Sequence, residues 1–293
     1  MAIFIFKKIL MPEEKMKIIK QLGLTFLVCV FFSAGSYAQT LGDDKYQPFI
    51  GQSGKDVVWV PSPDQLIDKM LKTAKVTEKD IVFDLGAGDG KIAIAAALNY
   101  GAKSTGIEFN PEMAALAQRN VERAGLKDKV RIINGDIFVE DFSSATVVTL
   151  YLLPELNLKL KPILQKMKPG TRVVSNSFTM GEWEADEVIE SDRGRGYFWI
   201  IPAIMTGEWN LQLAGKTAQL SINQRDQKFT GTLKLGGETF QVINGLLRAS
   251  DFTFEYQRPD RSIVKVSGTI EGATIKAQQQ ILSAAVMITG QRK

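Results

Sequence analysis

The sequence predicts an α/β sheet followed by a small all-β module, and three observations carry that prediction. Between residues 64 and 175, short apolar runs alternate with stretches of helical spacing, the pattern of a parallel sheet covered by helices on both faces. After Pro202 the helical period disappears, and eight short alternating runs follow, separated by glycines and by Pro259-Asp260. The composition, 45% hydrophobic and 23% charged over 293 residues, is that of a globular chain long enough for one large domain or two modest ones.

Taken in order, Gln39 to Lys55 is a polar lead-in, and Val57-Val58-Trp59-Val60-Pro61-Ser62-Pro63 is an extended segment stiffened by two prolines. Leu66, Ile67, Met70, Leu71 and Ala74 then recur at helical spacing and predict an amphipathic helix over 64–75. Strands are expected at 81–85, 104–109, 130–134, 146–152 and 171–175, with helices at 91–100, 111–124 and 156–167. Pro111 suits a first helical turn, where its missing N–H costs nothing. Strands at 188–190 and 197–201, joined by Arg193-Gly194-Arg195-Gly196 as a turn, bring the Rossmann-like sheet to seven, and Tyr197-Phe198-Trp199 reads as sheet core. The eight later strands, at 209–213, 218–222, 229–235, 240–243, 252–256, 263–270, 274–278 and 285–289, suggest an antiparallel barrel or sandwich. The boundary falls near 203–207, so 39–56 reads as a linker, 57–204 as the α/β domain and 205–293 as the β domain.

The first 38 residues stand apart. From Met16 the chain reads Met-Lys-Ile-Ile-Lys, then an apolar run from Leu22 to Phe32, then Ser33-Ala34-Gly35-Ser36-Tyr37-Ala38. This is a secretory leader, with cleavage expected after Ala38 and export to the periplasm or cell envelope. An uncleaved membrane anchor is the alternative, although the apolar core is short for a bilayer. Cys29 lies inside that core, without the small residues a lipoprotein signal needs. The five lysines and two glutamates of residues 1–38 account for three of the four net positive charges. The nearly neutral remainder argues against a nucleic-acid partner. Cys29 is the sole cysteine and there is no histidine. That excludes disulfides, cysteine nucleophiles, histidine bases and most transition-metal sites, so no metal is expected.

The chemistry is concentrated in Val82-Phe83-Asp84-Leu85-Gly86-Ala87-Gly88-Asp89-Gly90-Lys91. A dinucleotide turn wants G-x-G-x-x-G, whereas here Gly86, Gly88 and Gly90 alternate; a P-loop wants Ser or Thr after its lysine, whereas Ile92 follows Lys91. Asp84, at the strand's end, would repel a pyrophosphate but suits a ligand carrying an ammonium group. S-adenosylmethionine (SAM) has an α-amino group, a sulfonium and no phosphate, and glycines let backbone approach it without a Cβ in the way. Glu108 closes the next strand 24 residues on, as expected of an acid accepting both ribose hydroxyls. Asp136, beside Ile137 and Phe138, closes the third, where it can accept from the adenine amino group. Each acid alone reads as a solvated strand end; a glycine turn with acids at three successive strand ends is far more specific.

This order of motifs, with Gly106-Ile107-Glu108 and Gly135-Asp136, resembles the class I, seven-β-strand methyltransferases. Val60-Pro61-Ser62-Pro63 and Asp89-Gly90-Lys91 further resemble the small non-SET lysine methyltransferases, including the enzyme that acts on the ATP synthase c-subunit. The resemblance covers about residues 57–203. It implies a SAM-dependent methyltransferase acting on a protein lysine or a small amine. In it Asp84, Gly86 and Gly88 line the methionine end of SAM, Glu108 the ribose and Asp136 the adenine. Tyr151-Leu152-Leu153-Pro154-Glu155 forms the methyl-transfer floor; it lacks the Asn/Asp-Pro-Pro-Tyr/Phe pattern that clamps planar amines. Tyr151 is then a catalytic wall and Trp59 a lid, each with core packing as the alternative. The β module resembles small lipocalin-like barrels.

Export conflicts with the cytoplasmic origin of SAM. Two other readings follow from that conflict: an exported protein that holds a nucleoside-like ligand without turnover, or one whose β barrel binds a lipid or envelope ligand beside an idle front domain.

Overall fold

The computed structural model describes residues 41–281 and 284–293; the expected leader, 16–38, lies outside them. The α/β portion has strands β1 (Ile81–Leu85), β2 (Lys103–Glu108), β3 (Val130–Asn134), β4 (Val147–Leu150), β5 (Arg172–Asn176), β6 (Glu187–Ser191) and β7 (Gly194–Ile200). Its helices are α1 (Asp64–Thr73), α2 (Lys91–Tyr100), α3 (Pro111–Arg123) and α4 (Pro154–Leu164). The sheet runs β3-β2-β1-β4-β5-β7-β6. The first five strands are parallel, and β7 is antiparallel to both neighbours, so the sheet is mixed rather than wholly parallel.

The β6–β7 turn is a correction to the sequence reading. Gly194, Arg195 and Gly196 belong to β7, paired with Ser191, Glu190 and Ile189, and only Asp192 and Arg193 are left to turn. Gly196 serves packing: a Cβ there would sit 3.3 Å from Met70 of α1.

Alternation along the strands sends side chains to two cores. Val82, Val147, Val174 and Phe198 pack with Leu66, Met70 and Leu71 of α1 and Ile92 of α2. Phe83, Val148, Val173 and Trp199, of opposite parity, pack with Leu160 and Leu164 of α4 and with Met180 and Trp183. Helix α4 runs from Pro154 to Leu164. It thus starts and ends a little earlier than the apolar spacing suggested, because Pro154 itself opens it. The strand order reverses between β1 and β4, and at such a switch point the carboxyl ends of the strands open a crevice.

The remaining strands are β8 (Gly207–Leu213), β9 (Lys216–Arg225), β10 (Lys228–Leu235), β11 (Glu238–Arg248), β12 (Asp251–Gln257), β13 (Ile263–Glu271), β14 (Thr274–Ile281) and β15 (Ala284–Arg292). They close into an antiparallel barrel, β9 pairing with both β8 and β10. Closure gives every one of these strands two neighbours, which resolves barrel against sandwich. The interior is filled by side chains. Phe229 meets Phe254 edge-on with centroids 6.2 Å apart, Phe240 lies 5.1 Å from Tyr256, and the buried Tyr256 hydroxyl donates to Gln279 Oε1 at 2.9 Å. Strand β11 is longer than its apolar pattern because a bulge between Ile243 and Leu246 breaks the alternation, with Asn244 in the left-handed region at φ 53°. Barrel and sheet belong to one compact unit, Gly42–Lys293.

Candidate active site

The crevice at the switch point is lined by the turn after β1, the ends of β2 and β4, the loop after β3 and a strap formed by residues 52–62. Buried Asp84 is the penultimate residue of β1, and the turn that follows is pinned to β2, Gly86 N–H and Ala87 N–H both donating to Ile107 O at 2.9 and 3.0 Å. Gly86 and Gly88 adopt φ of 79° and 55°, where a side chain is strained. Space forbids one as well. A Cβ on Gly86 would lie 2.8 Å from Leu152 Cδ2, and one on Gly88 2.6 Å from Trp59 Nε1. Gly90 caps α2.

Asp84 is held by its neighbour across the sheet. Thr149, its register partner on β4, donates to Oδ1 at 2.6 Å, while Oδ2 is buried without a partner among the described residues. Burial pushes the Asp84 carboxyl up to about 7, against the Thr149 hydrogen bond and with help from Asp89 and Glu108. Burial raises Asp89 and Glu108 too, although Lys91 N–H opposes it at Asp89, and Asn110 and Gly88 N–H oppose it at Glu108. Glu108 receives Gly88 N–H at 2.9 Å and Asn110 N–H at 2.8 Å. Three carboxyl groups that resist ionising in one crevice form a site waiting for positive charge. An unpartnered carboxylate oxygen beside a glycine cradle fits the ammonium of an amino-acid moiety, so the residues present fit SAM.

The strap and the lead-in before it are tied down at three places. Asp43 receives Arg119 of α3 through Nε and Nη2 at 2.5 and 3.0 Å, and that guanidinium holds the Asp43 carboxyl well below the usual range. Lys55 Nζ sits 2.7 Å from Asp136 Oδ2 and 4.4 Å from the Phe109 ring centroid. At the strap's base, buried Ser62 accepts from Asn176 Nδ2 at 2.9 Å through its hydroxyl and from Lys91 Nζ at 3.1 Å through its carbonyl. Between these ties Gly51 N–H and Trp59 N–H pair with Trp59 O and Gln52 O as a small hairpin, laying the Trp59 indole over Gly88.

The other side of the crevice is apolar. Tyr151 leaves β4 and lies half-buried beside Phe178, ring centroids 6.4 Å apart and planes 26° apart, with Leu152, Leu153 and Leu156 around them. Phe178 is set there by a local twist: Ser177 takes φ 65°, and Asn157 of α4 donates through Nδ2 to the carbonyls of Phe178 and Thr179 at 3.3 and 3.2 Å.

Asp84, Gly86, Gly88, Glu108, Asp136, Ile137, Tyr151 and Trp59, all named from sequence, thus line one crevice. Gly90 lies just behind it as the helix cap. Asp136 differs from expectation, because its carboxylate is engaged by Lys55 and by Phe138 N–H at 2.9 Å rather than open to a base. Lys55, Phe109, Asp89 and Phe178 also line the crevice. Asp89 sat in the motif, but no local pattern marks Lys55 in a polar lead-in or Phe178 after a strand; contacts across 81 residues of chain bring Lys55 to Asp136.

Fold and site together define a class I SAM-dependent methyltransferase. Residues 84–187 match the ANTKMT methyltransferase domain, a match that ends in β6, ahead of the barrel. The chain is 45% identical over 140 residues to a protein-lysine N-methyltransferase of Saccharolobus islandicus, covering 47% of this chain and 87% of that one. It is 27% identical over 144 residues to the human ATP synthase c-subunit lysine N-methyltransferase, covering 48% of this chain and 61% of that one. Among solved structures, a Salinibacter ruber RNA methyltransferase in complex with S-adenosyl-L-homocysteine is 46% identical, with TM-score 0.49, covering 50% of this chain and 96% of that one. The chain belongs to the family of the Saccharolobus enzyme: class I SAM-dependent methyltransferases related to the lysine N-methyltransferases.

Proposed function

We propose that this methyltransferase transfers the methyl group to a lysine side-chain amine of a protein, with Tyr151 and Phe178 walling the acceptor's path. The observation that carries the reading is the division of the crevice: acids and glycines on the β1–β2 side, aromatic and aliphatic side chains on the β4–α4 side. Bound SAM supplies an electrophilic methyl on a positively charged sulfur. Asp84 and the Gly86–Gly88 backbone take the amino-acid end, Glu108 takes the ribose hydroxyls, and Phe109 with Ile137 flanks the base. Asp136, tied to Lys55, holds the strap closed over that end. The acceptor arrives as an ammonium and must lose its proton to solvent before its lone pair can form the N–C bond as C–S breaks. Desolvation against Tyr151, Leu153 and Phe178 lowers that amine's pKa, and collinear placement does most of the remaining work. Absence of histidine and cysteine outside the leader's Cys29 is compatible with this chemistry, which needs little acid–base catalysis.

The relatives support the lysine assignment: the Saccharolobus and human proteins are both named as lysine N-methyltransferases. The decisive experiment incubates the full chain with methyl-tritiated SAM and, in parallel, poly-L-lysine, a total protein extract and total RNA. Label recovered as methyl-lysine after acid hydrolysis is the expected result; label confined to RNA overturns the reading. The leader read at 16–38 adds the expectation that the protein acceptors are envelope proteins, tested by fusing residues 16–45 to a reporter active only in the periplasm.

A further inference from the structure

The barrel lies outside the family match, yet one of its hairpins grips the acceptor side of the crevice. The β9–β10 tip, Arg225 to Lys228, is laid against α4 and the segment 182–184. Asp226, its side chain one-tenth exposed and its backbone at φ 54°, accepts from Lys161 Nζ at Oδ2, 3.2 Å away, and from Gln165 Nε2 at Oδ1, 2.6 Å away. Buried Gln227 donates through Nε2 to Glu184 O at 2.8 Å. Arg225 pairs with Glu182 and Lys228 with Glu184. Gln224 locks the turn from behind, donating to Asp226 O and Ala203 O at 2.8 and 3.0 Å.

What the tip grips carries the acceptor wall. Helix α4 starts three residues after Tyr151, and its Asn157 holds the carbonyls of Phe178 and Thr179. Segment 178–184 lies so close to α4 that a Cβ on Gly181 would be 2.7 Å from Leu158. Lys161 itself reaches over the Trp183 ring at 5.6 Å. Among the described residues, the tip's side-chain contacts with the α/β portion fall on this side, away from Asp84, Glu108 and the strap.

We propose that the barrel is a positioning element for methyl transfer: Asp226, through Lys161 and Gln165, fixes α4 and the 177–184 segment and so sets the Tyr151–Phe178 wall, leaving SAM binding untouched. The proposal rests on the reading of that wall as the acceptor's path. It identifies Asp226 and Lys161 as positioning residues, and it gives the appended barrel a role in turnover rather than in ligand storage.

The test uses the full chain with Asp226→Asn, which suits a left-handed backbone position and keeps an acceptor for Gln165. It adds Lys161→Met and, as rescue, Lys161→Arg. Loss of one charge-assisted hydrogen bond corresponds to about tenfold. Amide hydrogen exchange is therefore expected to quicken about tenfold in 154–164 and 177–184, with the peptides of β1–β3 unchanged. S-adenosylhomocysteine affinity by calorimetry should stay within about twofold. Transfer to poly-L-lysine should fall about tenfold in kcat/KM and recover in Lys161→Arg. Unaltered exchange in both segments overturns the proposal, as does equal loosening of β1–β3. Phe178→Leu separates the two readings. If it leaves transfer intact, the wall is not the acceptor's path. If it impairs transfer while Asp226→Asn does not, the wall stands and the barrel does not position it.

Discussion

Asp84→Asn should stabilise the ligand-free protein at neutral and alkaline pH while weakening cofactor binding. The Asp84 carboxyl sits at about 7 in the fold against 3.8 for an ordinary aspartate, because it is buried with one oxygen unpartnered. Between those values the folded chain holds a proton that the unfolded chain releases, so stability falls as pH rises through the window and levels off above about 7. At about 1.4 kcal/mol for each pH unit, the gap comes to about 4 kcal/mol. Asparagine cannot ionise and escapes that loss, although its own Nδ would be buried without an acceptor at a cost of about 1–3 kcal/mol. That cost does not vary with pH. The stability difference between variant and wild type should therefore grow by about 4 kcal/mol from pH 4 to pH 8, whichever protein starts ahead. Urea unfolding at half-unit pH steps, read separately by tryptophan fluorescence and far-UV circular dichroism, measures it. In the same variant S-adenosylmethionine affinity should drop by about 100-fold, as expected when a charge-assisted bond is lost from a buried site. A flat difference across pH would refute the burial argument, and retained affinity would refute the assignment of Asp84 to the ammonium group.

Wild-type affinity for SAM should rise from pH 5 to about 7 and then level, because a cationic ligand favours ionised Asp84 and binding below that range must expel its proton; calorimetry in two buffers of different ionisation enthalpy would detect the released proton. Gly88→Ala places a methyl 2.6 Å from the Trp59 indole at a positive φ, so tryptophan quenching by acrylamide should increase as the strap lifts, with affinity weakened by about tenfold for about 1–2 kcal/mol of strain. Asp80 behaves opposite to Asp84: burial would raise it, but Arg172, Thr146 and Thr77 hydrogen bonds outweigh burial and leave it lowered. Asp80→Asn should thus cost about 3 kcal/mol at pH 7, with the deficit shrinking as acid protonates the wild-type carboxyl; a deficit that persists at pH 2 would count against the ion pair.

The α/β half and its cofactor turn are legible because they are written locally. Alternation, helical spacing, Pro111 at a helix start and glycines at Gly86 and Gly88 depend on residues a few positions apart, and an acid at the end of each of the first three parallel strands falls at the same edge whatever surrounds it. Asn244 shows the limit from within one strand: a single left-handed residue disrupts the alternation and hides the second half of β11. The turn reading of Gly194 and Gly196 failed for a related reason, since Gly196 answers to Met70, over a hundred residues earlier, rather than to its own neighbours.

Closure of the barrel, the tie from Lys55 to Asp136, the Tyr151–Phe178 wall and the seat of Asp226 on α4 are matters of tertiary structure. Each depends on which surfaces meet after folding, and the contacts span from 27 residues for Phe178 beside Tyr151, through 81 for Lys55 with Asp136, to 83 for Trp209 paired with Arg292 where the barrel closes. A lysine in a polar stretch or an aspartate in a hairpin turn has the same local signature whether it faces water or a partner. Only the packed chain, by burying Asp84 and leaving the Asp226 side chain one-tenth exposed, sets those ordinary residues apart from their equivalents in water.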